Sequence, residues 1–231
     1  MNVLIACEES QAVCIEARRL GHNAFSCDIQ ECSGGHPEWH IMGDVLPLLN
    51  GRCSFETMDG ARHEIEGRWD AIIAHPPCTY LTNAGNAWRN RPGRKEETEK
   101  AAEFFLKIAN ADCEQIAIEN PPGWMNSHWR RADQTIHPWY FSERNGDENH
   151  QMKRTCIWLK GFRPLAYNIR VTKPEPKFVK KRSDGTIKNR YFVDAMSPNK
   201  DRAKNRSKTF PGIARAMAEQ WLGDVAKGEN V

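Results

Sequence analysis

Two short runs hold the side chains best suited to chemistry. Pro76-Pro77-Cys78 follows the apolar run Trp69-Asp70-Ala71-Ile72-Ile73-Ala74, and Glu119-Asn120-Pro121-Pro122 follows Gln115-Ile116-Ala117-Ile118. Proline cannot extend a sheet ladder and stiffens the backbone that follows a strand. Each run therefore predicts a rigid loop at a strand end, where open α/β sheets put their chemistry. One loop offers a thiol and the other a carboxylate, which suits a nucleophile and an acid sharing one pocket. Taken alone, a cysteine is more often an inert buried thiol and a glutamate a surface carboxylate. The paired Pro-Pro settings weigh against both ordinary roles.

The elements that must position these loops are legible in outline. Asn2-Val3-Leu4-Ile5-Ala6 reads as a strand, and Gln11 to Leu20 as a helix with Val13, Ala17 and Leu20 on one face, stopped by Gly21. Asn23 to Cys27, closed by Asp28, and His40-Ile41-Met42, leading into Gly43-Asp44-Val45, read as two further strands. Residues 69–74 are expected to be the fourth strand, residues 115–118 the fifth, and Thr155 to Leu159 a later one. Between them Glu96 to Ala111 spaces Ala101, Phe104, Phe105 and Ile108 as one buried helical stripe. This alternation predicts an α/β fold: a mainly parallel sheet with helices on both faces. Residues 163–208 break the rhythm, with Pro164, Pro174, Pro176 and Pro198 among many charges, and read as a long insertion or weakly structured subdomain. Pro211 suits the first turn of a closing helix through Ala214, Met217, Ala218 and Trp221.

A chain of 231 residues buries a full core in one large domain. It has no apolar stretch of about 18 residues and no signal pattern, and its eight cysteines form no compact framework. A soluble, cytoplasmic protein with reduced thiols is the expectation. The net charge of +3 hides an asymmetry. Residues 1–70 hold 12 acidic and 5 basic side chains, whereas residues 170–208 hold 13 basic and 4 acidic ones. Lys180, Lys181, Arg182 and Arg190 lie in that basic block, whose simplest partner is a polyanion, with nucleic acid leading.

In order, these pieces resemble the DNA cytosine-5 methyltransferases, over roughly residues 2–160 and again at 205–222. Pro76-Pro77-Cys78 matches that family's nucleophile motif, and Glu119-Asn120 the motif whose glutamate holds the target base. The first strand and helix, ending in Leu20-Gly21-His22, look like the first cofactor motif. Asp28 stands where an acid binds the ribose of S-adenosylmethionine, and Gly43-Asp44-Val45 where an aspartate contacts the adenine. Gln151-Met152-Lys153-Arg154 is a loose counterpart of the arginine motif, and Pro211 to Met217 resembles the motif that opens the terminal helix. The resemblance implies a Rossmann-like class I methyltransferase fold in residues 1–162 and 209–231, with 163–208 as a basic insertion. It implies Cys78, Glu119 and Arg154 as catalytic residues, and Glu8, Ser10, Asp28, Asp44, Val45 and Pro76 around the cofactor. Asn120 and the basic residues would meet the nucleic acid, with Trp88 or Trp124 stacking on a base.

The chemistry explains the residue types. Cytosine C5 is a poor nucleophile, and a thiolate adding to C6 turns the ring into an enamine that can attack a methyl group. A cysteine titrates near ~8.5, so the site must favour its thiolate or give the base a proton as attack occurs. Glu119 would protonate N3 while bonding the exocyclic amine, and Arg154 would hold O2. Two departures stand out. The family's first motif is glycine-rich, but here it reads Cys7-Glu8-Glu9-Ser10-Gln11-Ala12, with Glu8 or Glu9 expected near the cofactor's ammonium or sulfonium. The recognition region is also short, implying compact phage- or prophage-type enzymes with relaxed specificity or a protein partner that supplies it. An exocyclic-amine methyltransferase is the runner-up, since Tyr80 is close to the Pro-Pro pair. A degenerate relative that binds DNA or cofactor without catalysis is the other alternative. Cys27, Cys32, His36 and His40 have a spacing that zinc could use, although Gly34-Gly35-His36-Pro37 looks like a tight loop.

Overall fold

The central strands are apolar at nearly every position because both of their faces are covered. The computed structural model describes residues 1–83, 91–181, 183, 185–191 and 208–223. A seven-stranded sheet contains β1 (Asn2–Ala6), β2 (Asn23–Asp28), β3 (His40–Met42), β6 (Ala71–Ala74), β7 (Ile116–Asn120), β8 (Gln134–Ile136) and β9 (Thr155–Lys160). Their spatial order is β3-β2-β1-β6-β7-β9-β8. The pairs from β3 through β7 are parallel, and β9 runs antiparallel to both its neighbours. The expected Rossmann-like α/β class is the one observed.

Alternate residues feed two separate cores. Leu4, Phe25, Ile72, Ile116, Ile118 and Trp158 join Phe105 and Ile108 of helix α2 (Arg94–Ala109). Val3, Ile5, Ala24, Ile73, Ala117 and Ile157 meet the opposite group. That group comprises Val13, Cys14 and Ala17 of α1 (Ala12–Arg19) with residues of the C-terminal helix. Helix α2 starts earlier than its apolar stripe suggests, because Gly93 takes a left-handed turn just ahead of Arg94. After the short α3 (Trp124–His128), the last helix, α4 (Pro211–Met217), has Pro211 in its first turn as expected and continues as a π turn over Ala218–Leu222.

Two hairpins escape the sequence pattern. One pairs β4 (Cys53–Glu56) with β5 (Arg62–Ile65), so residues 71–74 form the sixth strand and not the fourth. Within these two strands only Phe55 and Ile65 are buried, too weak an alternation to read. The other pairs β10 (Phe178–Lys181) with β11 (Ile187–Arg190), giving the basic segment regular structure. Trp88 and Arg182 lie outside the described residues, as does most of the basic run beyond Tyr191.

Phe105 is fully buried and meets Trp158 edge-on at 5.2 Å. Truncation to alanine should remove about 3–5 kcal/mol of stability. Equilibrium unfolding in guanidinium measures it, and a loss below about 1 kcal/mol would mean that α2 does not seal this face.

Candidate active site at the carboxyl ends of the strands

The chain leaves β1 toward β2 on one side and reaches β6 on the other, so the β1/β6 boundary is the topological switch point where open sheets bind ligands. The residues singled out by sequence divide across it. Glu8, Ser10, Asp28, Asp44 and Val45 follow β1, β2 and β3, whereas Pro76, Cys78, Glu119 and Asn120 follow or end β6 and β7.

Parallel register sets the second group. Ala74 pairs with Ile118, so the next positions align His75 with Glu119 and Pro76 with Asn120. The buried Asn120 amide donates from Nδ2 to the Pro76 carbonyl at 2.7 Å, tying the two Pro-Pro loops together. Their continuations also interlock: Trp124 N–H donates to Leu81 O at 2.7 Å and Asn83 N–H to Pro122 O at 3.1 Å. Gly123 is required at this approach, since a Cβ there would overlap the Leu81 carbonyl oxygen. Cys78 itself is half-buried, and its carbonyl accepts the amides of Leu81 and Thr82 in one tight turn. Helix α2 braces that turn: Arg94 donates to Thr79 O at 2.8 Å and sits 4.5 Å over the Tyr80 ring.

Glu119 has an 11% exposed side chain beside His75, with His75 Nδ1 at 3.4 Å from Oε2. Burial pushes this carboxyl up, but the His75 contact and the Lys153 and His75 charges outweigh it and hold it below the usual range. Sequence reasoning missed His75, which precedes the motif and looks like a linker; only the register of β6 on β7 brings it to Glu119. Lys153 is the cation whose charge reaches Glu119, while the exposed Arg154 acts on His137.

Across the switch point, the β1–α1 loop achieves a glycine-like path without glycine. Cys7 and Gln11 are both left-handed, at φ 60° and 57°. Glu8 is buried, and its two oxygens accept Val13 N–H at 2.7 Å and Cys14 N–H at 3.2 Å, capping α1. The fully buried Gln11 donates from Nε2 to His36 O at 2.8 Å and accepts His36 N–H at 3.0 Å. Gly34 packs against this side chain too closely for any Cβ. Both Glu8 oxygens thus serve the scaffold, whereas Ser10 is half-exposed at the loop.

Asp28 and Asp44 converge on the same strand ends. Burial chiefly raises the Cys7 and Cys27 thiols, Cys27 to about 12, and both aspartates push them further. Asp28 Oδ1 accepts the Gln30 amide at 3.0 Å, the exposed Asp44 Oδ1 accepts the Leu46 amide at 3.0 Å, and Val45 is buried.

Among the described residues no group of three or more His, Cys, Asp or Glu is arranged for a metal. His40 bonds Ser26 Oγ at 2.8 Å and Gln30 O at 2.9 Å, and Cys27 Sγ lies 3.5 Å from Gly43 O. The Trp124 ring stacks on His128, with centroids 3.4 Å apart. The basic ribbon carries Lys180 and Lys181 in β10 and Arg190 in β11, with Phe178, Val179 and Ile187 exposed. A cavity of about 270 Å³ lies between it and the 146–152 loop, lined by His150, Gln151, Met152, Glu175, Lys177 and Tyr191 and by none of the strand-end residues.

Two outcomes follow from these contacts. Gly123→Ala should separate the two Pro-Pro loops, read as faster hydrogen exchange at the Trp124 amide; unchanged protection would refute the interlock. Burial, the largest influence, lowers the affinity of folded His40 for its proton below the ordinary 6.5. The unfolded chain therefore binds more protons over that window, and acidification favours unfolding. Stability should fall between about pH 7.5 and 5.5, and less steeply in His40→Asn. Equal slopes in urea titrations of the two proteins would exclude His40 as a cause.

No family model and no curated protein matches the chain. Among solved structures it is similar to a protein assigned as a DNA modification methyltransferase and encoded within an E. coli prophage. The two share 13% identity and a TM-score of 0.42, over 69% of this chain and 46% of the other. The chain spans less than half the length of that protein.

Proposed function

We propose that this protein methylates C5 of cytosine in DNA, with S-adenosylmethionine as methyl donor and Cys78 as a transient covalent nucleophile. The observation that carries this reading is the Asn120–Pro76 hydrogen bond, which joins the thiol loop to the Glu119 loop at the switch point of the sheet. A nucleophile and an acid held on two interlocked loops suit attack on one face of a ring with protonation at its edge.

The chemistry of the strand-end acids fits the cofactor. Asp28 keeps one carboxylate oxygen for ribose hydroxyls, and Asp44-Val45 offers an exposed acceptor beside an apolar side chain for an adenine. The acidic N-terminal third also suits a ligand that carries sulfonium and ammonium charges. When bound, the cofactor supplies an electrophilic methyl group. The chain's own task is to make C5 nucleophilic. Cys78 releases its thiol proton to solvent and adds through Sγ to C6. Glu119, which takes up a proton from solvent when the base binds, passes that proton to N3 as attack occurs, and the electron pair of the C5–C6 double bond becomes available at C5. Loss of the C5 proton to solvent, expulsion of the thiolate from C6 and return of the N3 proton to Glu119 later restore the aromatic ring. Lys153 lends its charge to Glu119, and Arg154, next to it, would hold O2 of the base. Glu8 acts through α1 and not as a direct ligand.

DNA as substrate is supported by the basic segment and its exposed two-stranded ribbon, a shape that the major groove admits. A target base in a duplex must be flipped to reach the strand ends.

Labelled S-adenosylmethionine incubated with mixed DNA, followed by digestion and nucleoside mass spectrometry, tests the reading. 5-Methylcytosine should form, and Cys78→Ser should reduce it by at least about 10³-fold. N4-methylcytosine or N6-methyladenine that survives Cys78→Ser would establish the exocyclic-amine alternative. Cofactor binding with no transfer would favour a non-catalytic relative.

A further inference from the structure

We infer that His75 is a specificity-determining positioning residue, which fixes the donor and acceptor ends of the Glu119 carboxyl so that the pocket accepts cytosine and rejects uracil or thymine. The inference rests on the cytosine-5 reading and deepens it.

The geometry begins with an asymmetry. Glu119 meets His75 through Oε2, at 3.4 Å from Nδ1, and among the described residues no hydrogen bond is made to Oε1. An ionised carboxylate only accepts hydrogen bonds, so Nδ1 carries the proton of this contact. Thr209 Oγ1, just before α4, lies 3.5 Å from the same nitrogen and in this tautomer would accept from it as well. His75 is held there by its surroundings: its amide donates to Ala6 O at 2.9 Å, its side chain is 7% exposed, and Nε2 is buried without a hydrogen-bond partner. A buried, unpartnered Nε2 is tolerated best as a bare lone pair, which again leaves the proton on Nδ1. The charged groups facing this ring are Glu8 from the β1–α1 loop and Glu119 from β7, with Lys153 acting on Glu119 from the segment before β9.

Chemistry then assigns the two oxygens. In the free site the carboxylate is ionised; once it takes up a proton from solvent as the base binds, it has one hydroxyl and one carbonyl oxygen. The carbonyl is the better acceptor, so the Nδ1–H contact holds Oε2 in that role and leaves the proton on Oε1. Oε1–H can donate to N3 of cytosine while Oε2 accepts the exocyclic amine with its second lone pair. Uracil and thymine present the reverse pattern, an N3–H donor and an O4 acceptor. They would require the proton on Oε2, in competition with His75. A mismatched base would then leave buried polar groups unpaired, which gives strong discrimination.

Substitution of His75 by alanine and by asparagine separates the possibilities. Asparagine keeps an N–H donor near the position of Nδ1, and alanine does not. With matched oligonucleotides carrying cytosine or uracil at the target, His75→Ala should lower kcat for cytosine by about 10- to 100-fold with KM for S-adenosylmethionine unchanged. It should lower the cytosine-to-uracil ratio of kcat/KM as well. Asparagine should restore most of both. Nitrogen-15 shifts of His75 in the unsubstituted enzyme should report the Nδ1–H tautomer, a readout that survives if the alanine variant fails to fold. An Nε2–H tautomer, an unchanged base ratio in His75→Ala, or asparagine behaving like alanine would overturn the inference. Absence of 5-methylcytosine with the unsubstituted enzyme would instead refute the cytosine-5 reading, and this inference with it.

Discussion

The hydrogen bond from Asn120 Nδ2 to the Pro76 carbonyl is the constraint on which the candidate site depends. Proline has no amide to continue the sheet ladder, so β6 and β7 cannot pair through their Pro-Pro ends. A side-chain amide takes over where backbone pairing stops. It does so at a buried position, where a lost partner costs about 1–3 kcal/mol. Everything beyond it is positioned in turn: the Cys78 turn, the His75–Glu119 contact, and the close approach of Gly123 to Leu81. Stiff loops tied by this amide and by the Trp124–Leu81 and Asn83–Pro122 backbone hydrogen bonds hold the Cys78 turn against the end of β7, where Glu119 lies.

The other side of the switch point solves a different problem. A left-handed residue other than glycine costs about 1–2 kcal/mol, and the β1–α1 loop has two, Cys7 and Gln11. Glu8 and Gln11 offset that cost by satisfying the first amides of α1 and both backbone groups of His36. Rigidity that glycine-rich loops obtain from close backbone packing is obtained here from buried side-chain hydrogen bonds. The consequence is a loop whose carboxylate at Glu8 is committed to the fold, so the acids left to meet a ligand are those at the ends of β2 and β3.

Legibility varied with the range of the forces involved. The apolar runs of β1, β6 and β7 and the helical stripe of α2 were readable because each is buried on faces that its own period reveals. The Pro-Pro-Cys and Glu-Asn-Pro-Pro runs were readable because proline acts on its immediate neighbours. The β4–β5 and β10–β11 hairpins were not, since each has a largely exposed surface and little apolar alternation. The spacing of Cys27, Cys32, His36 and His40 does not say what these side chains do: His40 turns to Ser26 and Gln30, contacts that no spacing specifies.

By itself the sequence determined the α/β class, the order of the main strands along the chain and the Pro-Pro loops that follow β6 and β7, because local periodicity and proline stereochemistry are written residue by residue. Tertiary structure alone decided that His75 meets Glu119, that Lys153 lends it charge, and that Glu8 caps a helix. Those outcomes depend on the register between strands distant in sequence and on which side of an extended segment faces inward. A one-residue shift reverses either.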